Sequence, residues 1–187
     1  MRWEDEPDEV LMTRYGEGDA RAFETLYGRH KAPLYRFLLR QCREPGAAEE
    51  LFQEVWFKII RARTRYRVEA RFTTYLYQVA RNTVIDRYRS TSADPMAGSS
   101  DLDSLPELMD RASPSPEHRI DIDNAMARLQ SAIDQLPADQ REAFLLREEG
   151  GFSLEQIAEI TGVGRETAKS RLRYAAAKLR RDMETSP

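Results

Sequence analysis

The chain has 187 residues, of which 41% are hydrophobic and 33% charged, and its formal net charge is −3. This length fits one ordinary domain or two small ones. A single cysteine excludes an intrachain disulfide, two distant histidines give no metal-ligand spacing, and no apolar run approaches the ~18–20 residues of a membrane span. The acidic N-terminus lacks the apolar core of a secretory signal. These features predict a cytoplasmic protein with no metal, cofactor or membrane insertion.

The small net charge conceals strong local imbalances. Residues 1–10 contain one basic and five acidic residues, 11–89 contain 16 and 9, and 90–118 contain one and six. Residues 119–187 contain 11 basic and 12 acidic residues, yet 164–181 alone hold seven basic residues and one acidic residue. Charge blocks are evidence about binding partners rather than about fold. Two basic blocks separated by acidic sequence favour two contacts with nucleic acid.

The first 90 residues predict helices only, since no segment alternates like a strand and no repeat is present. Asp19 has the side chain of an N-cap, and Ala22, Phe23 and Leu26 recur behind it at helical spacing. The predicted helices run near Glu9–Gly16, from Asp19 to about Cys42, from about Ala47 to Ala62, and from about Phe72 to Arg89.

The third predicted helix has one apolar and one acidic side. The apolar side is ordinary core and holds Leu51, Phe52, Val55, Trp56, Ile59 and Ile60. The acidic side places the ring of Phe57 among Glu50, Gln53 and Glu54. An aromatic ring surrounded by carboxylates suits a docking surface, because aromatic residues are enriched at interface centres. A solvated acidic face with one stray phenylalanine explains the pattern equally well.

The segment before the fourth helix, residues 61–71, holds five arginines together with Tyr66. Interleaved cations and aromatics suit single-stranded nucleic acid, since arginine contacts phosphates while tyrosine stacks on a base. On the helix that follows, Tyr75, Asn82 and Asp86 line one flank of the apolar stripe. An amide such as Asn82 both donates to and accepts from a base edge. A solvated basic loop and ordinary surface polar residues are the competing interpretations.

The middle of the chain, residues 91–118, is rich in Ser, Asp and Pro and poor in apolar residues. Such a segment buries too little apolar surface to offset the entropy cost of ordering it. We therefore predict a flexible acidic linker between two small domains, residues 1–90 and 119–187. Both domains are all-α.

The second domain predicts four further helices, the last two arranged as a helix-turn-helix. Ser153 is a candidate N-cap with Gln156 as its capping-box partner. Ala158 is small where two helices approach closely, and Gly162 lies four residues later at the turn, where positive φ favours glycine. The predicted helices are Ile120–Gln135, Ala138–Glu148, Ser153–Thr161 and Arg165–Asp182.

The last helix has the composition of a DNA-reading helix. Its apolar stripe consists of Ala168, Leu172, Ala175 and Leu179, and its opposite face displays Glu166, Lys169, Ser170, Arg173 and Tyr174, flanked by Arg165 and Arg171. A helix fits the major groove and must offer donors to base edges and cations to phosphates. A solvated amphipathic helix is the alternative, but such a face normally balances its charges. The basic excess therefore favours DNA binding.

Four segments together resemble one family. They are Ala48-Glu-Glu-Leu-Phe-Gln-Glu-Val-Trp, Phe72-Thr-Thr-Tyr-Leu-Tyr-Gln-Val-Ala-Arg-Asn-Thr-Val-Ile-Asp, Leu136-Pro-Ala-Asp-Gln-Arg-Glu-Ala-Phe-Leu-Leu-Arg and the helix-turn-helix. In this order and spacing they are similar to the extracytoplasmic-function (ECF) type of bacterial sigma factor in the sigma-70 family. The resemblance spans about residues 10–183.

The resemblance implies a promoter-specificity subunit of RNA polymerase, not an enzyme, with promoter DNA and core polymerase as partners. Its N-terminal domain would dock on the β′ clamp helices through Glu49, Glu50, Gln53, Glu54 and Phe57. The same domain would melt the −10 element and trap a flipped base, with Arg65, Tyr66, Arg67, Arg71, Tyr75 and Asn82 at the −10 site. The C-terminal domain would contact the β flap and read the −35 element through Arg165, Lys169, Ser170, Arg171, Arg173 and Tyr174. An anti-sigma factor is a common further partner in this family.

The chain departs from the family pattern at three places. The acidic helix usually opens Asp-Ala-Glu-Asp, whereas Ala47 stands at the first position here, which predicts lowered affinity for core polymerase. Tyr75 replaces a usual tryptophan. On the last helix Arg173 precedes Tyr174, whereas relatives often have the aromatic residue first. The resemblance therefore does not predict which −35 sequence this chain reads.

Two rival functions fit parts of the sequence. A stand-alone helix-turn-helix regulator that binds an operator would explain residues 164–181 but would leave the acidic helix, the arginine-rich segment and the linker without roles. A metal or acid–base enzyme would use Glu49, Glu50 and Glu54, but no histidine, cysteine or glycine-rich phosphate loop accompanies them.

Overall fold

The computed structural model of the chain describes residues 5–92 and 116–185, and within these ranges all regular structure is helical. The helices are α1 Asp8–Gly16, α2 Ala20–Cys42, α3 Pro45–Ala62, α4 Phe72–Ser92, α5 Pro116–Asp134, α6 Ala138–Glu148, α7 Leu154–Thr161 and α8 Arg165–Thr185. The all-α prediction is confirmed. Most of the predicted linker, residues 93–115, lies outside the described residues. No helix in the described ranges is long and apolar enough to cross a membrane.

The helix ends follow from local chemistry. Asp19 caps α2 as predicted, since its side chain accepts a hydrogen bond of 3.0 Å from the backbone N–H of Arg21. α2 ends where Arg43 adopts a left-handed conformation with φ of 65°. α3 then begins at Pro45, two residues earlier than predicted, because proline suits the first helical turn, where its missing N–H has no partner to lose.

The N-terminal helices α1 to α4 surround one apolar core. Its largest fully buried side chains include Leu11, Leu26, Phe37, Leu51, Ile59, Phe72 and Leu76. On α4, Phe72, Leu76, Ala80 and Thr83 are buried, whereas Val79 is only partly buried. Thr74 and Tyr77 are also buried. Helix α4 is therefore covered on more than one side.

The C-terminal helices α5 to α8 form a second cluster in which α8 packs against α5, α6 and α7. Ala168, Ala175 and Leu179 are buried along α8 as the sequence predicts, and Leu172 is partly buried. Because two of the three buried residues are alanines, the backbone of α8 can approach its neighbours closely.

The two helical clusters are packed against each other, which the sequence did not predict. Their buried apolar residues form one continuous hydrophobic cluster. The ring of Tyr77 on α4 lies 4.8 Å from the ring of Phe152, between α6 and α7, in an edge-to-face arrangement. Phe152 is 3% exposed. This contact accounts for the unexpected burial of Tyr77.

Candidate nucleic-acid interface

The arginine-rich segment between α3 and α4 is open to solvent. Arg65, Arg67 and Arg71, predicted to contact the −10 element, are all exposed. Val68, between them, is 62% exposed, which is unusual for a large apolar side chain. The segment thus presents cations and one apolar side chain to solvent.

Tyr66 does not lie on this open surface. Its ring packs against Phe72, with a centroid distance of 6.2 Å, and against Tyr75 at 5.5 Å. Its hydroxyl is buried without a hydrogen-bond partner among the described residues. Burial, with a smaller contribution from Glu9, raises the pKa of Tyr66 to about 12. The structure places Tyr66 against the start of α4 beside Tyr75, and its contact with the −10 element stays a prediction.

Helix α1 also contributes to this site, although no sequence pattern predicted it. The Glu9 carboxylate accepts a hydrogen bond of 2.7 Å from the backbone N–H of Phe72 and so caps the first turn of α4. Asp8 pairs with His30 at 2.7 Å and with Arg29 at 2.5 Å. Burial raises the pKa of Asp8, but the bonds from His30 and Arg29 outweigh it and leave that pKa below its usual value. Sequence periodicity does not indicate the contact between Glu9 and Phe72, because the two residues are 63 positions apart.

An open cleft lies beside these contacts. Asp8 and Glu9 of α1 form one side of it, and residues 68–71 of the arginine-rich segment together with Thr73 form the rest. Asn82, predicted to contact a base, is exposed two and a half turns further along α4. Its amide group is therefore accessible to a strand that follows α4.

The acidic face of α3 is arranged as predicted. Phe57 is 59% exposed, and Glu49, Glu50, Gln53 and Glu54 are exposed around it. Two of the carboxylates have cationic neighbours, since Glu50 pairs with Arg87 and Glu54 lies 2.9 Å from Lys58. Lys58 also donates a hydrogen bond of 3.0 Å to Thr83, which ties this face to α4.

Ala47, where the family usually has aspartate, does not belong to the acidic face. Its side chain is 4% exposed in the first turn of α3. A carboxylate at this position would lie near the free N–H groups that begin the helix, where it would act as a helix-stabilising charge. The lowered affinity for core polymerase expected from this departure stays a prediction.

The helix-turn-helix has the predicted geometry. The Ser153 side chain accepts from the backbone N–H of Gln156 at 3.2 Å, and the Gln156 side chain accepts from the backbone N–H of Ser153 at 2.9 Å. This capping box fixes the start of α7. Gly162 ends the helix with φ of 67°, and Ala158 is 9% exposed. Local backbone chemistry therefore determines both ends of α7.

Most of the predicted −35 residues lie on one exposed surface of α8. Lys169 is 64% exposed and Tyr174 is 55% exposed. The Arg173 guanidinium lies 5.0 Å from the centre of the Tyr174 ring, a cation–π contact. Arg165 is exposed but pairs with Glu155 at 2.7 Å, and Ser170 is half-buried at the edge. The surface offers donors and cations to a groove.

Arg171, predicted to contact the −35 element, lies toward α6 rather than on the exposed face of α8. Its guanidinium lies 2.6 Å from the Asp139 carboxylate on α6, its side chain is only 19% exposed, and one of its nitrogens is fully buried. The helical rotation that exposes Lys169 and Arg173 turns Arg171 toward α6. In this structure it joins α6 to α8.

Among the described residues, no group of three or more histidine, cysteine or acidic side chains is placed to hold a metal ion.

Comparison with known proteins identifies the two helical clusters. Residues 26–93 match Sigma-70 region 2, and residues 126–179 match Sigma-70, region 4. The chain is 32% identical to the RNA polymerase sigma factor CarQ of Myxococcus xanthus, over 90% of this chain and 93% of that protein. It is also 32% identical to the ECF RNA polymerase sigma factor SigL of Mycobacterium tuberculosis, over 87% of this chain and 89% of that one.

Solved structures share the fold. The sigma factor RpoE of Bartonella quintana, solved with the anti-sigma factor NepR, has a TM-score of 0.72 at 20% identity and covers 90% of this chain and 100% of its own. CnrH, solved with the cytosolic domain of CnrY, has a TM-score of 0.70 at 19% identity and covers 96% and 99%.

Two helical domains with these motifs define a transcription initiation factor of the sigma-70 class. Within that class, the chain belongs to the ECF RNA polymerase sigma factors, as the resemblance of its four motifs predicted. This membership favours an RNA polymerase sigma factor over a stand-alone operator-binding regulator.

Proposed function

We propose that this sigma factor recruits core RNA polymerase through the acidic face of α3 and directs it to promoters through two DNA surfaces. The arginine-rich segment and Asn82 contact the single-stranded −10 element, and the exposed face of α8 reads the −35 element in duplex DNA. The protein would act in the cytoplasm, where polymerase and promoter meet. Residues 1–90 and 119–187 are the two functional domains in this proposal.

The observation that carries recruitment is the exposure of Phe57 among carboxylates. A large aromatic side chain left 59% exposed contributes nothing to the core of the free protein. At interfaces such residues, surrounded by groups that exclude water, supply much of the binding energy. The ring suits an apolar pocket and the carboxylates suit a basic rim, which is the chemistry we assign to the β′ clamp helices. The β flap is the proposed polymerase contact of the second domain.

The two DNA surfaces differ in chemistry, and this difference assigns duplex DNA to one and single-stranded DNA to the other. The α8 face is a rigid helix, as a major-groove reader must be, and carries Lys169 and Arg173 as donors. The −10 surface combines exposed arginines with the accessible amide of Asn82 beside an open cleft, which suits unstacked bases. We include an anti-sigma factor among the partners, since the RpoE structure, which shares this fold, contains one.

In vitro transcription tests the proposal directly. Core polymerase with this protein should initiate at defined sites on genomic fragments, and mapping those start sites should reveal a shared −10 and −35 sequence. Phe57→Ala should weaken core binding at least about tenfold, a loss of about 1.4 kcal/mol or more, without lowering thermal stability. Met126→Ala is the matched control, because Met126 is an apolar side chain on α5 with 52% exposure. Absence of sigma-dependent initiation would overturn the proposal.

A further inference from the structure

Helix α1 contacts the arginine-rich segment near both of its ends. Near the start, the Arg63 guanidinium lies 5.8 Å from the centre of the Tyr15 ring. The Arg63 backbone also lies so close to Gly16 that a Cβ atom on this glycine would be 2.6 Å from the Arg63 carbonyl oxygen. Just past the other end, the Glu9 carboxylate accepts its hydrogen bond of 2.7 Å from the backbone N–H of Phe72. The arginines assigned to the −10 element lie between these two contacts.

The two contact points on α1 are close together compared with the length of the segment. Glu9 and Gly16 are seven positions apart on one helix, which corresponds to about 10 Å along its axis. The chain from Arg63 to Phe72 would span about 30 Å if it were fully extended. Because α1 contacts both ends over this short distance, the chain between them must project as a loop. The exposure of its arginines and of Val68 agrees with this shape.

The first turn of α1 is itself fixed to α2, directly beside Glu9. The Asp8 carboxylate lies 2.5 Å from Arg29 and 2.7 Å from His30, both on α2. Arg29 also donates a hydrogen bond of 2.8 Å to the backbone carbonyl of Glu6. These three contacts involve residues on either side of α1's start, so they determine the position of the Glu9 carboxylate before any DNA is present.

The hydrogen bond from Phe72 to Glu9 lies at the junction between the segment and α4. Phe72 is the first residue of α4, where a backbone N–H has no acceptor within the helix and a negative charge is favourable. The Phe72 ring is fully buried and packs against Tyr66 of the segment. The same helix carries Asn82. Loss of the bond would therefore release the point at which the segment and the helix that carries Asn82 meet.

We propose that α1, through Glu9, holds the arginine-rich segment in the shape that binds the single-stranded −10 element, which makes Glu9 a positioning residue for promoter melting. This inference rests on the proposed role of the segment at the −10 element. A segment already held in its binding shape loses less conformational freedom when it binds a strand. The charge of Glu9 acts in the opposite direction, because a carboxylate repels phosphates. Position and charge therefore predict opposite effects of removing this side chain.

Binding of a single strand by the holoenzyme separates the two effects. The probe, which we call the −10 strand, is a fluorescein-labelled 20-nucleotide strand from the non-template strand of a mapped promoter. Glu9→Ala removes both the charge and the acceptor, and it should weaken binding of the −10 strand by about three- to tenfold. Glu9→Gln removes the charge but keeps an oxygen that accepts from the N–H of Phe72, so it should bind at least as tightly as the wild type.

Three controls distinguish positioning from a general loss of structure. Glu24→Ala removes an exposed carboxylate from α2 outside the site and should bind the −10 strand like the wild type. Binding of core polymerase and of duplex −35 DNA should not change in either Glu9 variant. Gly16→Ala keeps Glu9 but displaces the backbone of Arg63 at the other contact, so it should also weaken binding of the −10 strand.

Hydrogen–deuterium exchange of the free full-length protein measures the positioning without DNA. In Glu9→Ala, amides of residues 63–75 should exchange faster than in the wild type, whereas those of α6 to α8 should not change. Glu9→Gln should exchange like the wild type.

Each result decides the role of Glu9. If Glu9→Ala binds the −10 strand as tightly as the wild type or more tightly, Glu9 acts by charge alone and the proposal is wrong. It is also wrong if Glu9→Gln binds as weakly as Glu9→Ala, or if exchange in residues 63–75 is unchanged. If wild-type holoenzyme binds the −10 strand no better than a scrambled strand, the proposed function fails instead, and the exchange measurement still decides whether Glu9 holds the segment.

Discussion

Asn82 offers a donor and an acceptor to solvent on α4, in reach of a strand that follows the arginine-rich segment. We expect Asn82→Ala to reduce open-complex formation more than it reduces binding of holoenzyme to duplex promoter DNA, because the amide meets a base only after melting. Permanganate footprinting of the −10 region, beside a duplex binding assay, measures the two steps.

Gln135→Ala provides the comparison for Asn82→Ala. It removes an exposed amide of similar chemistry from the first residue after α5, which is not part of the proposed −10 site. It should leave both steps unchanged. Equal losses of melting and duplex binding in Asn82→Ala would contradict the role in base capture.

Lys169 and Arg171, two residues apart on α8, should respond differently to truncation. Lys169 is 64% exposed, so Lys169→Ala should weaken −35 recognition by about 1–3 kcal/mol if it makes a base contact, with no change in unfolding free energy. Arg171 lies 2.6 Å from Asp139 and is mostly buried, so Arg171→Ala should lower the free energy of unfolding by about 1–3 kcal/mol.

Urea denaturation and a −35-dependent binding assay separate the two variants. If Arg171→Ala is as stable as the wild type and loses only promoter binding, then Arg171 contacts DNA. If Lys169→Ala is destabilised, then Lys169 has a structural role and is not assigned to the DNA surface.

Periodicity predicted the exposure of Phe57 and Lys169 correctly because each depends on the rotation of its own helix. It did not indicate the surroundings of Tyr66 and Arg171, which other elements determine: Tyr66 packs against the first turn of α4, and Arg171 meets Asp139 on another helix 32 positions away. The position of a residue around its own helix does not show which neighbouring element covers its side chain.

The helices themselves were largely predictable, because the residues at their ends determine where each helix begins and ends. Asp19, the capping box at Ser153 and the left-handed Gly162 act within a few residues of sequence, and each begins or ends its helix as expected. Contacts between elements were not predictable in this way. Glu9 of α1 caps α4 and so joins two helices through a single carboxylate. Neither segment has a sequence pattern that indicates this contact.

Two helical glycines give a matched test of how the first elements pack. A Cβ atom at Gly16, the last residue of α1, would lie 2.6 Å from the backbone carbonyl oxygen of Arg63. Gly16→Ala should therefore displace the arginine-rich segment and destabilise the protein by about 1–3 kcal/mol. Gly28 on α2 has nothing within 4 Å of such an atom, so Gly28→Ala should stabilise by about 0.5–1 kcal/mol through helix propensity.

Thermal denaturation and open-complex assays would show both effects. Gly16→Ala should also slow promoter melting, since Arg65 and Arg67 move with the displaced backbone. A Gly16→Ala protein as stable and active as Gly28→Ala would mean that α1 and the segment do not constrain each other.

At the scale of the whole molecule, the acidic and basic blocks of the sequence have a second use. The net charge of −3 sums over opposite faces that pair within the chain, as Arg36 and Arg40 do with Glu149 and Arg81 does with Glu142. Charge patterning indicated partners for the basic blocks but could not indicate that one partner is the chain's own second domain. The residues that meet there are widely separated in sequence, and each alone has the pattern of a solvated surface residue.

A continuous hydrophobic cluster across both domains implies that they unfold together. Differential scanning calorimetry of the wild-type protein at low salt should therefore show one transition. Glu149→Arg should split it into two, because each domain then unfolds from its own core, whereas Glu148→Arg should keep one. Raising the salt concentration should act in the same direction as Glu149→Arg but more weakly, since Arg36 is 53% exposed and screened while the Tyr77–Phe152 contact is not. Two transitions in the wild-type protein at low salt would show that the two domains are energetically independent. One unshifted transition in Glu149→Arg would show that the ion pairs of Glu149 with Arg36 and Arg40 add no coupling between the domains.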